Sequence, residues 1–313
     1  MRRLTGVGGH YPAETALFAA SGMLWWLSSF HAAAMPAWAP WDFSFSWFYA
    51  AAFPLLWYCR GLRLLPAGQR PSWWRSTCFF LGMAIIYAVL QTRFEYLAQH
   101  MFFLNRLQHV VMHHLGPFLI ASAWPWTAIA AGAPAVWGRL ANTGVAQRIL
   151  HAARQPFIAA FLFVGLIALW LTPPVHFRAM IDPNLYLFMN WTMVGDGLLF
   201  WSLVLDPRDK ASAGISFGMR ALLAVAVMFP QILIGAVIAF EQQDLYAFYA
   251  WCGRIYPSIG PIDDQNYGGL IVWIPPAMMS VVALLLVLNA LRLSEERESA
   301  SREDLMPAPW TGR

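Results

Sequence analysis

Charge and cysteine are what this sequence has least of. Only 12% of its 313 residues are charged, whereas 59% are hydrophobic. Such a chain cannot cover its apolar groups with polar surface in water, which excludes a soluble globular domain and leaves an integral membrane protein. The three cysteines, Cys59, Cys78 and Cys252, lie far apart with no C-x-x-C spacing. Neither a disulfide framework nor a thiol redox or thiolate copper relay is encoded. There is no H-E-x-x-H and no second intramembrane aspartate, so the metallo and aspartyl intramembrane protease chemistries are excluded too. No internal repeat or soluble domain is visible.

What is present is a series of apolar runs. Counting runs long enough to cross about 30 Å of hydrocarbon gives eight spans of an all-α, polytopic helix bundle, at about 14–34, 43–59, 76–94, 98–122, 156–172, 185–205, 219–240 and 268–291. The first follows Arg2 and Arg3 with no small-residue cleavage site after it, so it reads as an uncleaved span. Residues 1–293 form the membrane domain. The charged stretch from Ser294 has no apolar periodicity and reads as a disordered tail. Tryptophans such as Trp25, Trp26, Trp73, Trp74, Trp124 and Trp126 sit near span ends, as interfacial belts do.

The arginines assign an orientation. Arg2/Arg3, Arg60/Arg63/Arg70/Arg75, Arg139/Arg148/Arg154, Arg208/Lys210/Arg220 and Arg292/Arg297/Arg302 all fall on one side. The positive-inside rule makes that side cytoplasmic, with both termini there. The pI near 9.1 therefore reports membrane orientation and not a nucleic-acid partner. The opposite loops carry His31, Asp42, His100, His176, Asp182, Glu241, Asp244, Asp263 and Asp264. The 172–184 loop is interrupted by prolines and is expected to bring His176 and Met180 to the outer surface.

Four of the eight histidines fall between His100 and His114. Ionisable groups in hydrocarbon cost several kcal/mol unless they pair or face a wet interior, so this fourth span is a candidate site. Regular helical geometry puts Arg106, His109 and His113 on one stripe and Met101, Asn105, Gln108 and Met112 on the next. Imidazole with thioether is a donor set for Cu(I), which makes His100, Met101, His109, His113 and His176 candidate ligands. A single His or Met on such a helix is more often a packing or hydrogen-bonding residue. Deep histidines occur on this span alone, which argues against a haem held between two helices. Asp196, at matching depth in the sixth span, is expected to meet Arg106 or His109, with Gly195 and Gly197 permitting close approach. Gln108 joins Arg106 and Asp196 as a structural or orienting residue. In the last span, Asp263 or Asp264 is placed to cap the helix start, with Gln265, Gly268 and Gly269 beside them.

Three segments, HMFFLNRLQHVVMHHLGPFLIASAWP, GLLFWSLVLDPR and DDQNYGGLIVWIP, resemble the polytopic CtaG-type cytochrome c oxidase assembly proteins, over about Trp41 to Leu291. The absence of paired cysteines separates the chain from the unrelated single-span copper chaperone of the same class name. The resemblance implies a non-enzymatic role in maturing the haem–copper oxidase of a bacterial inner membrane, through Cu(I) insertion or protection of the copper-centre subunit. An oxidase subunit and a periplasmic copper chaperone are the implied partners. Gln108 and His109 match the family's Q-H pair, His100 a histidine at the outer helix end, and Asp264, Gln265, Gly268 and Gly269 the last motif. Asn105-Arg106 stands where many members have His-Met, which favours a structural Arg106–Asp196 pair over a copper site there. A copper transport or resistance permease is the alternative, and would need polar residues continuing to the cytoplasmic side.

Overall fold

The computed structural model describes residues 12–305, all helix, turn and loop, with no strand among them. Arg2, Arg3 and residues 306–313 lie outside the described residues, as do the side chains of Lys210 and Arg302. Helix starts follow local chemistry. Ser44, Ser72, Asp182 and Ser216 each accept a hydrogen bond from a backbone N–H of the following turn, satisfying donors that the helix itself leaves open.

Among the described residues, four helices are long and apolar enough to cross a membrane: Trp73–Gln91, Pro183–Val204, Phe217–Phe240 and Pro261–Ala300. A fifth crossing is available if Gly144–Ala153 and Pro156–Leu171, bent by 73° at Arg154-Gln155, act together. The helical membrane class stands, and among the described residues four or five of the eight expected spans meet this length and apolarity. The 156–172 run makes a helix of only 16 residues. The 98–122 run is broken into pieces: Phe94–His100, an extended Met101, Phe102–His109, a π-helical turn Val110–Leu115, and Gly116–Ala123.

The π turn reflects its sequence. Pro117 has no N–H to return to His113, so the regular i→i−4 ladder cannot run through this point. A widened turn takes up the extra residue. The Phe102–His109 helix packs against Pro261–Leu305, and the π turn against Pro183–Val204. Gly197 makes the second contact, since a Cβ there would run into the His113 carbonyl.

Pro261–Leu305 is one helix of 45 residues. It passes Ser294 without a break, so the expected disordered tail is helical as far as Leu305. Pro275 and Pro276 lie inside it and leave the carbonyls four residues earlier, including that of Val272, without a helical donor. The 172–184 loop is likewise more ordered than expected. Two prolines open a short helix, Pro173–Ile181, because proline is tolerated in a first turn. Asp182 then caps Pro183–Val204.

Candidate functional site

A column of buried polar side chains runs down the Phe102–His109 helix and the π turn. At its top, Asp264 lies fully buried and caps a helix other than its own. Its Oδ2 accepts from the Phe102 N–H at 3.0 Å and its Oδ1 from Phe103 N–H at 2.8 Å. Arg254 completes an ion pair with it. Gln265 ties the neighbouring loop: its Oε1 accepts from Leu245 N–H at 2.9 Å, and its Nε2 donates to the Ile238 and Glu241 carbonyls. Gly268 packs on the Phe102 ring, and Gly269 on the backbone of Gly235 and Ala239. The expected outer-mouth motif is thus an internal clamp. Asp263 takes no part in it and is exposed.

One turn below, Arg106 is 2% exposed. It donates to Asn105 Oδ1 and sits 5.1 Å from the Phe102 ring centroid. Asp196 does not reach it, so the expected Arg106–Asp196 pair does not form. His176 is buried and not at the surface as expected, with Nε2 3.0 Å from the Tyr249 hydroxyl and Nδ1 3.2 Å from the Trp170 carbonyl. Gln108 donates to the Val89 carbonyl at 2.8 Å and accepts from the Tyr186 hydroxyl at 3.1 Å. His109 is 5% exposed, and neither of its ring nitrogens has a hydrogen-bond partner.

At the bottom, Asp196 bonds His113. The phase shift of the π turn explains the change of partner, because it keeps both His113 and His114 inside. Asp196 Oδ2 lies 3.2 Å from His113 Nε2, the two Nδ1 atoms are 3.1 Å apart, and His114 Nε2 is 2.8 Å from Gln231 Oε1. Gln231 donates its own Nε2 to the Val227 carbonyl, which fixes its oxygen as the acceptor from His114. Each of these three contacts needs one proton, yet two neutral imidazoles supply only two. The third is shared between Asp196 and the imidazoles, so the group carries no net charge. Of the two glycines expected to admit close approach, Gly197 does so, while Gly195 faces open space.

The expected copper ligands are engaged as follows. His100, partly exposed, turns its Nδ1 to the Tyr96 carbonyl at 2.8 Å and lies tilted against the Tyr96 ring. Met101 is buried at the helix break. His113 and His176 use both nitrogens. His109, with both ring nitrogens unpartnered, lies beside Met193, and Arg106 lines the same cavity. A fixed guanidinium there opposes a cation. Among the described residues, no three His, Cys, Asp or Glu side chains gather as a metal-holding group.

Several residues of the column escaped sequence reasoning. Tyr186, Tyr246, Tyr249, Gln231 and Arg254 each close a bond, but single tyrosines and glutamines in apolar runs give no pattern. Asp206 and Arg220 form a second lock at the opposite end: Asp206 pairs with Arg208 and Arg154, and Arg220 donates to the carbonyls of Asp206, Arg208 and Ile215. The LDPR segment was its only signal. Outside the column, burial pushes the Glu95 carboxyl up to about 8, with the Asp42 charge adding to the effect.

Searches of curated proteins and of solved structures find no match. The family described as cytochrome c oxidase caa3 assembly factor matches residues 56–293, a range that contains the clamp, the whole column and the Asp206 lock. The chain belongs to the cytochrome c oxidase caa3 assembly factor family.

Proposed function

We propose that the chain works in oxidase assembly as a non-catalytic membrane scaffold, which holds and stabilises an oxidase subunit while its copper centre is completed. The observation that carries this reading is the use of the family's motif residues. Asp264, Gln265 and Gln108 are bonded to the chain itself, as in a framework that must keep its shape. Copper enters as cargo of the subunit, supplied by a periplasmic donor. The arginine distribution supports a bacterial inner membrane with both termini in the cytoplasm.

The permease alternative finds less support. Below His114 the interior is filled by Phe118, Phe163, Phe200 and Trp201, an apolar plug between the column and the Asp206 lock. A transported ion would have no ligands through it.

The test is to affinity-purify the protein from oxidase-expressing cells, and to measure copper after anaerobic Cu(I) loading and desalting. The scaffold reading expects the oxidase subunit to co-purify even under copper starvation, with substoichiometric copper on wild type. Stoichiometric copper that disappears in the His100→Ala/His109→Ala double variant would overturn it in favour of metal handling.

A further inference from the structure

We infer that the cavity between Arg106 and His109 binds a chloride-sized monovalent anion. The argument begins with charge. Arginine stays protonated, and an isolated charge in a medium of low polarity is costly unless it is paired. Among the described residues, no carboxylate lies within ion-pair distance of Arg106. The two buried acids of the column are already neutralised, Asp264 by Arg254 and Asp196 by the proton shared with His113 and His114. The three tyrosine hydroxyls around Arg106 are also engaged, at Gln108, Leu171 and His176. One positive charge is left without an opposite.

Unpartnered polar atoms mark where the opposite charge sits. Arg106 Nε and both His109 ring nitrogens are buried without partners, and both residues line one cavity. Its other walls include Ile167, Trp170, Met193 and Val272. The space amounts to about 20 Å³. That is room for about one water molecule or one small halide ion. A halide accepts from the guanidinium and from the one N–H of a neutral His109, and it supplies the missing negative charge. The competing occupant is a single water, which the free Val272 carbonyl would also suit, but a water leaves the charge of Arg106 uncompensated.

The test uses the intact detergent-purified protein. Thermal unfolding is followed while chloride replaces gluconate at constant ionic strength, and bromide retained after rapid desalting is measured by X-ray fluorescence. Expected are a melting temperature that rises in equal steps for each tenfold increase in chloride above saturation of the site, and bromide approaching one per chain. Arg106→Met and His109→Phe each abolish both signals. Identical melting in chloride and gluconate with no retained bromide overturns the inference and leaves a water in the cavity. A halide dependence that persists unchanged in His109→Phe, or in Arg106→Met if that variant folds, overturns it as well, by placing the anion elsewhere.

Discussion

Single side chains decide more here than their number suggests, and Asp264 is the clearest case. It holds two backbone N–H groups and Arg254 with one carboxylate, while its neighbour Asp263 is exposed. Removing one partner of a buried ion pair costs about 3–5 kcal/mol, so Asp264→Ala is expected to lower the unfolding temperature and membrane accumulation severely. Asp263→Ala should change stability by no more than about 0.5 kcal/mol. Asp196 is gentler to replace than an ion pair with Arg106 would have been. Asn can donate to His113 Nε2 as the shared proton does now, so Asp196→Asn should stay within about 1 kcal/mol of wild type in thermal unfolding, and Asp196→Ala should lose about 1–3 kcal/mol. Glu95 gives a pH signature. Its carboxyl holds a proton up to about 8 when folded, but only to about 4.3 when unfolded. The folded state binds more protons in that interval, so stability is full below it and falls as pH rises through about 8. Glu95→Gln should flatten the profile of melting temperature against pH, and a slope unchanged in that variant would assign the effect to another group.

At the scale of elements, the π turn Val110–Leu115 sets the site. It brings two adjacent histidines inward and places the His113 carbonyl against Gly197. Two glycines of one helix therefore predict opposite outcomes. Gly197→Ala drives a methyl into backbone and should cost about 3 kcal/mol. Gly195→Ala meets nothing and should gain about 0.5–1 kcal/mol from helix propensity. Unfolding of the two variants side by side checks the crossing. This turn is also where the sequence was least legible. Apolar runs, the Gln108-His109 pair and the Asp264-Gln265 motif could be read, because periodicity and residue type carry them. The partner of Asp196 could not, since a regular helix was assumed from His100 to Ser122 and one inserted residue moves every later side chain by about 100°. Gly116-Pro117 was the visible hint. His176 was misplaced for a similar reason: prolines were read as a break, while in a first turn they start a helix and fold the imidazole inward.

For the molecule as a whole, the governing feature is Pro261–Leu305. At 1.5 Å per residue, 45 residues extend about 68 Å, more than twice the hydrocarbon thickness. A helix of this length that crosses the membrane emerges on both faces. In a variant lacking the three native cysteines, Ser258→Cys and Ser299→Cys should therefore label from opposite sides of sealed vesicles with a membrane-impermeant thiol reagent. Labelling of both from one side would show that this helix does not cross.

The clamp also has a consequence for biosynthesis. The Phe102 N–H is held by a residue 162 positions further along the chain. Until Pro261–Leu305 has been made and inserted, the helix carrying Arg106 and His109 lacks its cap, and the cavity lacks the wall formed by Val272 and Pro276. The column is thus finished only when the last helix arrives. A nascent chain stalled before Pro261 would present an open, incomplete interior, and the column takes its final form only after that helix is in place.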